Sequence, residues 1–227
     1  MFQGFSQETI DFLWGIRFNN ERGWFEAHKQ DYQDHLYKPM KELGADVQAR
    51  LLELYPKSQL NLKISRIYRD ARRLFGRGPY KDHLWLSLFR WDEGEDGARP
   101  VLWFELTPDE WSYGMGFWCA KPVVMEKHRA RIDRNPKPLL RLENKLRKQD
   151  QFVLNGPEYA RQKTCPEPKL ASWYNKKSLS VGRECPLSEE LYSPALVDTL
   201  VDGFSFLMPY YDYFSTLWAD ADPREQH

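Results

Sequence analysis

Hydrophobic positions in the first fifty residues recur at helical spacing. Ser6 is a candidate N-cap, preceded by Phe5 and followed by Ile10 at the fourth helical position, the arrangement of a hydrophobic staple. Ile10, Leu13 and Trp14 then share one face. Asn19-Asn20 breaks this helix, and Asn20 is placed to cap the next, which carries Trp24, Phe25, His28, Tyr32 and Leu36. Pro39 is expected to kink or restart it. Met40, Leu43, Val47, Leu51 and Leu54 keep the period until Tyr55-Pro56.

Beyond Pro56 the period falls to two. Leu60, Leu62, Ile64, Arg66 and Tyr68 alternate with Asn61, Lys63, Ser65, Ile67 and Arg69, which puts Arg66 and Tyr68 on the core-facing side. A Gly/Pro loop (76–79) leads to a second strand at 84–91, an acidic Gly-containing turn to a third at 101–107, and Pro108-Asp109 to a fourth at 111–118. Short turns between strands imply antiparallel pairing, because parallel neighbours need crossovers of about a dozen residues or more. The remainder is mainly helical: 123–134 and 138–148 are basic and amphipathic, 155–168 is proline-punctuated and irregular, and 178–183 reads as one more strand. Ser193-Pro194 opens a last helix with Leu196, Leu200, Phe204, Leu207 and Tyr211 on one face, disturbed at Pro209. The fold class is α+β: an antiparallel four- to five-stranded meander packed by N-terminal and C-terminal helices. With no linker-like stretch, the chain reads as one domain: helical over 5–55, sheet over 60–118, mainly helical over 123–217, and frayed over 218–227.

Composition sharpens the picture. Aromatics make up 15% of the 227 residues, with nine Trp, ample material for a core. The formal net charge is zero, which argues against disorder but hides a segregation. Residues 63–90 carry eight Lys/Arg against two Asp, and 126–148 nine against three acids, whereas 188–227 has eight acids against Arg224. Such blocks either form a basic ligand surface or neutralise one another on folding. Cys119, Cys165 and Cys185 are odd in number, form no C-x-x-C and have no His at metal spacing, so neither a disulfide framework nor a structural zinc is expected. Without a signal-peptide pattern or an apolar run of about twenty residues, the expected location is cytoplasmic, off the membrane.

Candidate chemistry concentrates in Arg66-Ile67-Tyr68-Arg69-Asp70-Ala71-Arg72-Arg73 and Gly78-Pro79-Tyr80-Lys81-Asp82-His83. A buried guanidinium requires a carboxylate or a bound anion, and Asp70 and Glu105 are the candidate internal partners. One reading is an Arg–carboxylate network that pins the sheet. The other is a pocket in which Arg66, Arg69, Arg72 and Lys81 hold a phosphate or carboxylate, with Tyr68, Tyr80 or His83 as acid or base and Asp70 or Glu105 orienting them.

The run Asn19-Asn20-Glu21-Arg22-Gly23-Trp24-Phe25 with Lys29 and Tyr32, then Arg66-Ile67-Tyr68-Arg69-Asp70-x-Arg72 and Pro79-Tyr80-Lys81-x-His83, resembles a bacterial and fungal family known as domain of unknown function 2461. The similarity continues through 104–117, 177–183 and the last helix. It implies one cytosolic domain of about this length and no particular activity, substrate or cofactor. Leu74-Phe75-Gly76-Arg77-Gly78 departs from the family's more polar segment, which leaves the flanking Arg and Tyr-Lys as the stronger candidates.

Other signals are weaker. His28 and His35 share a helix face with Asp31 and Asp34, but without H-E-x-x-H these read as a solvated surface, so no metal or cofactor is predicted. Trp24 and Phe25 read as core, and Cys119 and Cys165 as inert thiols beside basic residues. Gly114-Met115-Gly116 marks close backbone packing, a bulge, or room for a ligand over the sheet. The function expected is binding, with or without chemistry, of an anionic phosphorylated or carboxylate small molecule. The alternative is a protein- or nucleic-acid-binding module on the basic helices of 126–148, including Arg129, Arg131, Arg141, Lys145 and Arg147. A pI near 7.0 argues against nucleic acid without ruling it out, and the oligomeric state is not legible.

Overall fold

The computed structural model describes residues 1–74, 76–91 and 98–225. Phe75, and the acidic turn expected at 92–97, lie outside the described residues. Helices α1 (Gln7–Phe18), α2 (Arg22–Ala27) and α3 (Lys29–Asp31) are followed by a π-helical turn (Tyr32–Tyr37) and α4 (Lys38–Leu54). Strands β1 (Asn61–Ile64), β2 (Leu84–Phe89), β3 (Val101–Leu106) and β4 (Glu110–Gly116) come next. Then follow α5 (Pro122–Arg134), α6 (Lys137–Leu146), β5 (Val153–Asn155), α7 (Ala171–Tyr174), β6 (Ser180–Pro186) and α8 (Leu196–Ser215).

The architecture is α+β, built on an open antiparallel six-stranded sheet in the order β1-β2-β3-β4-β6-β5. The first four strands form the expected meander, and β6 is the expected further strand. β5 was not foreseen. Its three residues pair as Val153 with Gly182, Leu154 with Val181 and Asn155 with Ser180, too short a run to show a period.

By contacts the chain divides into two compact units. The first comprises Met1–Leu88, Trp103–Tyr113 and Glu184–Asp202. Leu13, Ile16, Leu36, Leu43, Val47, Leu86, Phe104, Trp111 and Leu200 are among its fully buried side chains. Each removes apolar surface worth about 1.5–3 kcal/mol. Helix α1 begins as expected: the backbone N–H of Ser6 donates to the Thr9 hydroxyl at 3.1 Å, and Phe5 and Ile10 are both buried. Pro39 lies in the first turn of α4, and the chain accommodates it with the π turn just before. Pro39 has no N–H to offer the carbonyl of His35 four residues back, and that carbonyl accepts the hydroxyl of buried Thr9 at 2.5 Å.

The second unit comprises Phe89–Leu102, Gly114–Arg183 and Gly203–His227. Trp173, Leu139, Ile132, Leu207, Tyr210 and Phe214 are buried in it. Gly116 supports the close-packing reading of its glycine pair. Its φ is +155°, and a Cβ there would stand 2.5 Å from Leu179 O and from Ser180 Cα. Pro209 leaves α8 unbroken to Ser215, with Lys145 Nζ donating to the nearby Phe206 carbonyl at 3.2 Å. Beyond α8 the chain continues in 3-10 turns at Thr216–Ala219 and Pro223–Glu225.

Candidate functional site

The strand alternation expected through Tyr68 ends early, and its face changes. Ser65 donates its N–H to Trp85 O at 2.8 Å, and its hydroxyl accepts the Trp85 N–H at 3.1 Å. The side chain thus takes the place of a backbone acceptor and the ladder slips. Ser65 and Ile67 become the buried positions, whereas Arg66 is exposed and Tyr68 is 49% exposed. Neither Arg66 nor Tyr68 faces the core.

A short antiparallel ladder then joins 67–69 to 79–81. Lys81 N–H donates to Ile67 O at 2.7 Å and Arg69 N–H to Pro79 O at 2.8 Å, around a Tyr68–Tyr80 bridge. Asn20 fixes it from the helical side. Its Oδ1 accepts the Tyr80 N–H and its Nδ2 donates to the Tyr80 carbonyl, both at 2.9 Å. This corrects the capping role expected of Asn20: Glu21 holds the N-cap position of α2. Gly78 is required by the approach, since a Cβ there would lie 2.2 Å from Asn20 Oδ1. Arg69 Nε donates to the same Tyr80 carbonyl at 2.7 Å.

Pleating sends alternate residues of this ladder to opposite sides. On one side is an aromatic cluster. Phe25, core as expected, stacks on Tyr80 at 4.3 Å between centroids, meets Tyr68 edge-on at 5.7 Å and lies 5.6 Å from Tyr32. Tyr32 and Tyr37 are 5.7 Å apart, five residues apart in sequence and brought together by the π turn. Burial, then the neighbouring phenols, raise the Tyr32 pKa; burial, then Tyr68 and Glu26, raise that of Tyr80. Trp24 stacks on His28 at 4.0 Å.

The other side is ionic. Asp82 Oδ2 accepts from Arg17 Nε at 2.6 Å, and Asp82 Oδ1 lies 3.5 Å from Arg69 and 3.3 Å from His83 Nδ1. Arg17 also donates to Asp109 at 2.6 Å, its guanidinium lying over the Trp14 ring. Burial opposes the charge on Asp82, but the bonds from Arg17, its own backbone and His83 hold its pKa below the usual carboxylate range. Lys81 Nζ donates to the Arg66 carbonyl and lies 5.8 Å from the Trp85 ring. Its pKa is lowered by burial first and then by Arg69, with Glu105 pulling the other way. The Arg69 pKa is also lowered, by burial and by repulsion from Arg77, against Asp82. Glu105 forms no hydrogen bond or ion pair among the described residues. Burial raises its pKa, opposed by His83 and Lys81.

Arg69, Lys81, His83 and Glu105 are therefore brought together, whereas Asp70 and Arg72 are not part of this group. Asp70 caps a 3-10 turn at 71–73 and pairs with Arg72 at 2.8 Å on the exposed surface. It is a local partner rather than the core partner expected. Sequence reasoning missed Arg17, Asp109 and the aromatic wall of Tyr32 and Tyr37. Tyr32 was visible on a helix face and in the family motif, but its pairing with Tyr37 was signalled only by Pro39, beside the π turn that brings them together.

Of the basic-helix residues, Arg131 donates to Asp220 and to Tyr213 O at 2.7 Å, and Arg147 pairs with Glu143. Glu143 also accepts from buried Trp173 at 2.7 Å. Arg129 is buried. Among the described residues no group of three or more His, Cys, Asp or Glu is placed to hold a metal ion, and no helix is long and apolar enough to cross a membrane. Cys119 is exposed and Cys165 and Cys185 are buried, and no disulfide joins them among the described residues.

Fold and site define an α+β protein carrying a half-buried basic cluster behind an aromatic wall. The chain belongs to the conserved hypothetical proteins of family DUF2461, whose profile matches residues 8–213. A search of curated proteins finds no match.

Proposed function

We propose that this is a cytosolic protein that binds a small anionic molecule, phosphorylated or carboxylate, at the cluster of Arg69, Lys81 and Arg66, with Glu105 and His83 supplying acid–base chemistry to act on it. The observation that carries the reading is a surplus of confined positive charge. Arg69 and Lys81, both partly desolvated, repel each other, exposed Arg77 repels Arg69 further, and the nearby ionised carboxylate of Asp82 is already shared with Arg17. Exposed Arg66 adds a guanidinium with no side-chain partner among the described residues. An anion seated against Lys81 would relieve this repulsion, and Arg supplies the planar donor pair that oxyanions favour. Glu105, half-buried and near Lys81 and His83, has its pKa raised by burial, the direction that favours a proton-carrying carboxyl. Arg131 and Arg147 on the basic helices already have carboxylate partners, so those helices rank second as a ligand surface.

The test is a thermal-shift screen of wild type and Lys81→Met, in buffer free of inorganic phosphate, sulfate and acetate, against nucleotides, sugar phosphates and di- and tricarboxylic acids. One anion class should raise the wild-type Tm saturably, by about 2.7 kcal/mol of stability at 100 times its Kd. Folded Lys81→Met should lose that response. An unchanged response in Lys81→Met would refute the assignment.

A further inference from the structure

Arg129 belongs to a helix that the sequence presents as solvated and basic, yet the fold leaves it only 8% exposed. Nη1 is fully enclosed and has no acceptor, and no carboxylate among the described residues pairs with the guanidinium. The two acids one turn away along α5 are engaged elsewhere: Glu126 lies 3.4 Å from Arg224, and Asp133 accepts the hydroxyl of Tyr174 at 3.0 and 3.1 Å from its two oxygens. What Arg129 does touch is the ring of Tyr159, whose centroid lies 5.2 Å from Cζ. A second cation, Lys177 Nζ, lies 5.8 Å from the same centroid.

Arg stays ionised at any ordinary pH and brings five N–H donors and no acceptor. A contact with a ring face offsets only part of the cost of removing such a group from water, and two cations sharing one ring repel each other. A bound oxyanion resolves both problems at once. Two of its oxygens match the guanidinium fork, and Lys177 beside the same ring adds to the positive potential that attracts it.

We propose that Arg129, with Lys177 beside the same Tyr159 ring, forms a second, independent binding site for a small oxyanion such as phosphate, sulfate or a carboxylate. The enclosure of the guanidinium selects a free ion or a small ligand's terminal group over a nucleic-acid backbone, whose phosphates are carried on a bulky chain.

The experiment is a Tm titration with sodium phosphate, sulfate and acetate, with ionic strength held constant by chloride, on wild type, Arg129→Met, Lys177→Gln and Lys81→Met. Wild type should show a saturable rise with at least one oxyanion, and Lys81→Met should retain it. Arg129→Met should lose it, and Lys177→Gln should need at least tenfold more anion for the half-maximal rise. A response that survives intact in Arg129→Met, or that is absent from wild type, overturns the proposal. If Arg129→Met does not fold, Lys177→Gln decides: an unshifted midpoint overturns it.

Discussion

At Tyr80 the main chain and the side chain serve different ends. The carbonyl accepts from Asn20 and Arg69, while the ring packs on Phe25. The phenol and the ladder next to Lys81 are thereby fixed together. His128 shows the opposite economy: a titratable ring wholly inside the second unit, beside Tyr213 and Phe214, with neither nitrogen hydrogen-bonded among the described residues. Burial, and then the charges of Arg129 and Arg131, outweigh a backbone contact from Trp173 and take its pKa from 6.5 to about 3. Between those values the unfolded chain binds a proton that the folded chain refuses. Stability is therefore present above pH 6.5 and lost as pH falls toward 3, at about 1.4 kcal/mol per pH unit from this residue. Chemical denaturation of wild type and His128→Phe from pH 7 to 4 should show a shallower decline in the variant. Parallel declines would disprove the role given to His128. The sequence could place His128 on a helix but could not bury it, because burial depends on α8, contributed by residues some eighty positions later.

The elements were the most legible level. Helical spacing over 5–54, the period of two in the meander and the last helix all emerge from the hydrophobic pattern. What failed did so where a side chain replaces a backbone partner. Ser65 turns the strand's faces over and so exposes Arg66 and Tyr68, and Asn20 leaves its expected capping role to hold the 79–81 strand. Asn20→Ala removes both bonds and strands the partly buried N–H of Tyr80, at a cost of about 1–3 kcal/mol. Asn19→Ala, which removes only an exposed contact to Gly15 O, should stay within about 0.5 kcal/mol. Urea unfolding of the two variants measures the contrast, and equal losses would show that the Asn20 clamp contributes nothing specific. The π turn was illegible in detail, though Pro39 marked its place.

Across the whole molecule, segregated charge was visible in the sequence but its meaning was not. Carboxylates of the acidic C-terminal stretch pair with distant bases inside each unit: Asp198 with Arg50 in the first, and Asp212 with Arg90 and Asp220 with Arg131 in the second. The two basic blocks looked alike on paper. In the fold the 63–90 block retains Arg69 repelled by Arg77 and Lys81 repelled by Arg69, whereas Arg131 and Arg147 of the 126–148 block have carboxylate partners and Arg129 is enclosed. Each unit is assembled from three separated segments, which is why no linker was there to be read.

The central claim is that the cluster at Lys81 and Arg69 is a seat for an anion. It is tested most directly by soaking crystals with selenate or tungstate and locating the ion by its anomalous scattering. A peak is expected within about 4 Å of Lys81 Nζ, the distance of an ion pair, and should disappear in Lys81→Met crystals. Well-occupied peaks elsewhere with none at Lys81, or a peak there that survives the substitution, would contradict it.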